Sequence, residues 1–346
     1  FHVTGVQTCA LPILQLYEFD VPLAASVLKA LGGEFDDYAI FAVSKGALLI
    51  VAVNGPRLPD LPATYTPVEV AAELQSVGLR SLQDVLARRI ANKQLLTPWL
   101  QSLSVRPNSD YRPVLDDGAA RARFLNRNAF DLVTLGSGRV PVLAMLGGMS
   151  RRAVVAEMSA HNYFPDSPQP FVARELQHLL EEPQPAAWPT AGDARPAPKT
   201  PRQRAEALLR TCATAATGEA QRQALVALGT NLSAFLNEQD AVDAWSRAEQ
   251  WPCASGGDAA TSAWRALFRA VGVRDAEAMS RSAEAVLNAR LATGADLSYV
   301  VAVGMLGHLA QERPAEARAL WQAASPLETP PELRLVLALL AAHAQS

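Results

Sequence analysis

The feature that most constrains this chain is a switch in hydrophobic period. Short runs rich in apolar, β-branched and aromatic residues, Tyr38–Val43 and Ala47–Val53, occur early, whereas beyond Pro201 every apolar pattern is helical. Between the two regimes, residues 183–201 carry Pro183, Pro185, Pro189, Pro196, Pro198 and Pro201 among Ala and small polar residues. Proline lacks the N–H that helices and ladders use, so this stretch reads as a semi-extended linker. The chain is therefore expected to join an α/β part to a mainly α part.

In the first part, Leu23, Val27, Leu28 and Leu31 recur at helical spacing, Asp20 stands where a cap is needed, and Gly32-Gly33 ends the run. The two apolar runs that follow are separated by Ser44-Lys45-Gly46 and read as a hairpin of largely buried strands. Pro56, Pro59 and Pro62 make the next segment a loop. Helices are expected over Pro67–Val77, Ser81–Asn92, Leu95–Leu103, Ala119–Leu135, Val140–Met158 and Phe171–Glu182, with an irregular stretch at Arg106–Gly118. Phe1–Ile13 has no period and lacks the basic and apolar regions of a signal peptide. Its string Val3–Ile13 resembles a sequencing adapter translated in frame, so native sequence is expected to start at about Leu14 with further chain upstream.

Beyond the linker three segments resemble one another: Asp240-Ala241-Val242-Asp243-Ala244-Trp245, Asp275-Ala276-Glu277-Ala278-Met279, and the stretch from Pro314 to Trp321. Their starts lie 35 and 39 residues apart, near the period of helix-turn-helix repeats of the tetratricopeptide type. Small Ala alternates with a large residue, as closely packed helix pairs require. Trp245, Trp264 and Trp321 fall at packing positions and are expected in the core.

Charge and composition exclude several classes. The 31 Lys and Arg are scattered among 34 acids, with no basic stripe for a nucleic acid. No apolar run reaches the roughly 18–20 residues that cross a bilayer. Cys9, Cys212 and Cys253 show neither metal spacing nor a disulfide framework. His161, His178, His308 and His343 stand without a ligand-spaced partner, so no metal site is expected. Gly136-Ser137-Gly138 follows a helix and has no Lys, so it reads as an interhelical turn rather than a phosphate loop.

Leu14-Gln15-Leu16-Tyr17-Glu18, then a helix, a hairpin, a helical insert and Asn108-Ser109-Asp110-Tyr111-Arg112-Pro113, together resemble the distal part of bacterial spermidine-synthase-like proteins. The resemblance covers roughly 14–123, about a third of the chain, with Ser109 for the family's Thr and Tyr111 for its second acid. It implies the tail of a class I methyltransferase-like Rossmann sheet, closed by a helix and two adjacent strands. The first half of such folds, a strand, a Gly-rich turn and a helix, has no counterpart in the sequence, and neither does the family's strand-end catalytic aspartate. The resemblance thus implies no cofactor site and no catalytic residue here, with decarboxylated S-adenosylmethionine or S-adenosylmethionine serving the intact parent. Gln15, Tyr17 and Glu18 would lie at the mouth of a cleft for a polyamine-type molecule, and Asn108 and Asp110 would help close it. A plain loop before a helix, and side-chain turns at Asn108 and Asp110, are the alternatives.

The expected organisation is an adapter-derived 1–13, the distal Rossmann part at 14–125, a helical extension at 126–182, the linker at 183–201 and helical repeats at 202–346. By itself the chain is expected to be inactive, as a fragment of an aminopropyltransferase-like parent. The competing reading is a non-catalytic repeat module that binds a protein partner. A cytoplasmic location is expected, and some relatives of this architecture imply a parent anchored to the inner membrane.

Overall fold

A computed structural model describes residues 9–10, 12–44, 46–55, 57–58, 71–73, 85, 88–137, 139–148, 169–182, 200–215 and 218–346. Among the described residues the chain is mainly helical, with one small antiparallel sheet.

Among the described residues the sheet has five strands: β1 (Cys9–Ala10), β2 (Ile13–Gln15), β3 (Asp37–Ser44), β4 (Ala47–Val53) and β5 (Arg89–Asn92). β3 and β4 form the expected hairpin, in register from Asp37 opposite Val53 to Ala42 opposite Leu48. Both strands alternate buried with partly exposed residues over much of their length, placing Tyr38, Ile40, Ala42, Leu48, Ile50 and Ala52 in the core. β1 and β2 share the lane on the other side of β4, both antiparallel to it, and β5 pairs antiparallel with β3. β2 and β3 therefore run the same way, with β4 inserted between them in the opposite direction. Part of the stretch that resembles an adapter, Cys9–Ala10 and Ile13, is folded onto this sheet.

Helix α1 (Val21–Glu34) connects β2 to β3. Asp20 caps it by accepting from the Leu23 N–H at 3.1 Å, and Leu23, Ala24, Ala25 and Leu28 bury one face. Lys29 and Lys93 tie the helical layer together: Lys29 Nζ donates to the carbonyls of Leu103 and Val105, and Lys93 Nζ to those of Gly32 and Phe35. Helix α2 (Lys93–Ser102) starts where Asn92 Oδ1 accepts from the Leu95 N–H.

Three sequence expectations are corrected in this part. Arg89–Asn92 is a strand rather than the end of a helix, because Ile90 and Ala91 bury against the sheet and the backbone pairs with β3. The helix expected over Ala119–Leu135 is three pieces: α3 (Val114–Phe124), a 3-10 turn (Phe130–Val133) and α4 (Thr134–Ser137), broken where Asn126 takes a left-handed φ of 50°. Of Val140–Met158 the described helix is α5 (Val142–Leu146); residues 149–158 lie outside the described residues, as does nearly all of Pro67–Val77 and residues 183–199 of the linker.

The rest is helical. α6 (Gln169–Glu181) precedes four helical hairpins: α7 (Pro201–Thr214) with α8 (Gly218–Leu232), α9 (Glu238–Ala248) with α10 (Ala259–Val273), α11 (Ala276–Asn288) with α12 (Gly294–Ala310), and α13 (Pro314–Ala323) with α14 (Pro331–His343). The first helices start at 201, 238, 276 and 314, a spacing of 37 or 38 residues. Each hairpin packs on the next through its second helix, with α8 against α10, α10 against α11 and α12 against α13 and α14. Trp245 stacks on Phe268 at 6.0 Å and Phe268 on Trp264 at 5.5 Å, and both tryptophans are buried as expected. Trp321 is partly buried.

The chain then closes on itself. α14 packs against α2, the 3-10 turn and α4, and His343 Nε2 donates to the Leu95 carbonyl at 2.8 Å. Buried residues of the sheet part and of the hairpins belong to one continuous cluster. No helix among the described residues is long and apolar enough to cross a membrane.

Candidate functional site

Gln15 ends β2 with its side chain exposed, and the backbone then turns sharply. Three hydrogen bonds force that turn: Leu16 N–H to Gly46 O, Ala129 N–H to Leu16 O and Phe19 N–H to Arg127 O. Tyr17, half exposed, stands beside Gly46 of the hairpin turn, where an added Cβ would meet its ring at 3.6 Å. Glu18 holds φ at 57°, a conformation that costs a non-glycine residue energy, and its carboxylate lies 3.4 Å from the Arg123 guanidinium. Gln15, Tyr17 and Glu18 thus gather at one end of β2, the end towards which the strand runs.

Asn108 and Asp110 do not join them. Asn108 Oδ1 accepts from the Leu115 N–H at 3.0 Å and so closes the first turn of α3, while its own N–H donates to Ser26 O. Asp110 is exposed in the Ser109–Arg112 turn. Glu18 pairs with Arg123 in the last turn of α3, eight residues beyond Leu115, or about 12 Å along a helix.

A concave site lies among the hairpins. A cavity of about 250 Å³ is lined by Gln223, Val226, Ala227 and Thr230 of α8, Ala295, Asp296 and Tyr299 of α12, Pro330, Glu332 and Leu333 at the start of α14, and Arg139 from the loop before α5. Asp296 sits in the first turn of α12, half-buried, with Arg222 at 3.6 Å. Arg222 is shared: it also holds Glu219 and donates to the Leu291 carbonyl. Burial pushes the Asp296 carboxyl above the usual carboxylate range, against the opposing pull of Arg222. Tyr299 is 4% exposed, and its hydroxyl is buried without a hydrogen-bond partner among the described residues. Burial raises that phenol as well. Arg139 makes no hydrogen bond or ion pair among the described residues, although its charge is felt at both Asp296 and Tyr299.

A shallower groove of about 440 Å³ runs over α9, α10 and α11. Its floor includes Ala241, Trp245 and Ala270, its rim the exposed Val242, and Arg269 and Arg281 flank it. Both arginines face acids, Arg269 with Glu249 at 2.8 Å and Arg281 with Glu277 at 3.8 Å, which leaves the groove mainly apolar.

Two further expectations are overturned by long-range contacts. Cys212 of α7 and Cys253, 41 residues later, form a disulfide, although their spacing implied none. His308 is not alone: its Nε2 lies 3.0 Å from Glu284 of the neighbouring helix α11. No group of three metal-ligating side chains occurs among the described residues. Gly136 falls within α4, where an added Cβ would lie 2.3 Å from Ile90 of β5, so its lack of a side chain serves helix-on-strand packing. His161 is outside the described residues.

Sequence reasoning passed over Arg139, Asp296 and Tyr299, which come from a loop and a helix more than 150 positions apart and share no motif. The one local hint was an acid opening an otherwise apolar helix. No protein-family model, no curated protein and no solved structure matches this chain.

Proposed function

We propose that residues 14–125 are the distal half of a methyltransferase-type Rossmann sheet, belonging to a transferase of the aminopropyl or a related kind, and that the hairpins beyond are its tetratricopeptide-like accessory domain. The observation that carries the reading is the strand order. β2, α1 and β3 make a strand-helix-strand crossover whose two strands run in the same direction, and β4 returns between them antiparallel. This is how a doubly wound sheet of that type ends, and ligands of open α/β sheets bind beyond the carboxyl ends of the parallel strands. Gln15, Tyr17 and Glu18 occupy that position on β2. An amide, a phenol and a carboxylate suit the amine of a polyamine-type acceptor, with the carboxylate opposing its charge. The adenosylmethionine-type cofactor would be held by chain upstream of these strands, so the residues here orient the acceptor and carry no bond-making step. Fold alone does not fix a reaction, and the assignment of substrate rests on these three side chains.

The test is aminopropyl transfer from decarboxylated adenosylmethionine to putrescine by the polypeptide encoded across the native locus, with spermidine detected by mass spectrometry. Glu18→Gln should raise the KM for putrescine about tenfold with kcat little changed, as expected for loss of one charge-assisted contact. Absence of transfer, together with no polyamine binding, defeats the reading.

The regular 37- or 38-residue spacing of the hairpins favours a second, compatible role as an interaction module. Its surface would be the apolar groove over α9, α10 and α11. Val242→Asp, at a 40% exposed position, should abolish partner capture without loss of helicity; unchanged capture removes the groove from consideration.

A further inference from the structure

We infer that the cavity bounded by α8, α12, α14 and Arg139 is a binding site for a small zwitterion, an α-amino acid with an apolar side chain. Two unmet groups and one carboxylate with a single long contact carry the argument. The Tyr299 hydroxyl is buried and has no partner among the described residues, whereas most buried hydroxyls in folded proteins are satisfied by protein, water or a ligand. The Arg139 guanidinium, with five donors, has neither hydrogen bond nor ion pair among the described residues. Asp296 is a half-buried acceptor that Arg222 approaches only at 3.6 Å while also serving Glu219.

These groups share one cavity without satisfying each other. Arg139 and Asp296 are opposite charges on its lining, yet they form no ion pair within 4.0 Å. A ligand carboxylate can take donors from Arg139 and Tyr299, while its ammonium donates to Asp296, with Glu332 adding a second negative charge at the rim. Val226 and Leu333 supply an apolar wall for the side chain. A simple amine would meet the charge of Arg139 and leave both donors unused, and a simple carboxylate would leave Asp296 with only its long contact to Arg222. At about 250 Å³ the space lies below the roughly 300–1,000 Å³ of sites for drug-sized molecules, which suits one amino acid rather than a peptide. The raised carboxyl of Asp296 agrees, since an ammonium beside it would restore the compensation that burial removed.

The experiment is calorimetric titration of the whole chain with L-leucine and L-methionine, beside 4-methylpentanoate, which lacks the amine, and 3-methylbutylamine, which lacks the carboxylate. Saturable binding of the amino acids is expected, with both analogues weaker by about tenfold or more. Tyr299→Phe keeps the ring that lies against Phe268, so the fold is retained, and it should weaken leucine binding by about tenfold, as should Arg139→Gln. Circular dichroism and the thermal midpoint of each variant separate lost binding from lost folding. No saturation by either amino acid in the millimolar range overturns the inference. So does an amine that binds as tightly as leucine, or an affinity unchanged in both variants.

Discussion

Replacing Gly307 by alanine tests whether the hairpins are held by close backbone contact rather than by helix propensity. Gly307 lies on α12 where it crosses α11. A Cβ there would stand 2.7 Å from the Ala276 carbonyl oxygen, 2.7 Å from the Ser280 nitrogen and 3.2 Å from Met279 Cβ. Ordinary contact begins near 3.4 Å, so the helices must part by roughly 0.7 Å, and the obstacle is backbone that cannot turn aside. A gap of that size forfeits about a quarter to a half of each dispersion contact across the seam, where Met279, Ala283 and Val286 are fully buried. It also stretches the hydrogen bonds that Gln311 Nε2 makes across the seam to the Ala276 carbonyl and the Ser280 hydroxyl. Overpacking of this kind costs about 1–3 kcal/mol, with the upper end expected against backbone. Alanine returns about 1 kcal/mol of helix propensity, so the net loss should be about 2 kcal/mol. Gly33, near the end of α1, has nothing within 4 Å of an added Cβ, and Gly33→Ala should stabilise by up to about 1 kcal/mol. Urea unfolding followed by tryptophan fluorescence reads both. A Gly307→Ala protein as stable as the parent would refute the reasoning.

Three other outcomes follow from the same structure. Burial holds His343 below the ordinary imidazole range, outweighing its hydrogen bond to Leu95, so the folded chain binds fewer protons than the unfolded one. Stability from this residue is complete above the unfolded value near 6.5 and is lost as pH falls below it; His343→Gln should flatten the decline in melting temperature between about pH 6.5 and 5, and an unchanged decline counts against it. Opening the Cys212–Cys253 bridge with dithiothreitol frees a loop of 41 residues and should lower stability by about 2–4 kcal/mol in urea titrations, with identical midpoints as the contrary result. Ile13 is 68% exposed on β2, whose outer edge is unpaired among the described residues, so Ile13→Lys should reduce self-association in sedimentation velocity runs; equal association of both proteins would show that the edge is not responsible.

What could be read from the sequence was what local chemistry decides. α1 announces itself through the Asp20 cap, its apolar spacing and Gly32-Gly33, and runs one residue beyond them. The β3–β4 hairpin is legible because both strands are long enough to show apolar content between turn residues. β2 and β5, with three and four residues, are too short to display a period, and their pairing is decided by partners elsewhere in the chain. The apolar residues on either side of Asn126, up to Leu125 and from Ala129, hide the break there, because a left-handed turn depends on one residue and not on periodicity. Among the hairpins, the Asp and Ala segments marked three first helices, while α7, which lacks that signature, is recognised only from its place in the packing. The disulfide, the His308–Glu284 contact and the cavity all join residues 24 or more apart, where sequence spacing carries no signal.

The proposed transferase role requires that the crossover of β2, α1 and β3 be the distal half of a larger sheet. Long-read sequencing of the native locus upstream of Leu14 tests it most directly. The expected result is an uninterrupted frame that encodes a strand, a glycine-rich turn and a helix, followed by a later strand ending in aspartate. A start codon reached without those elements would contradict it, and the helical hairpins would then carry the function alone.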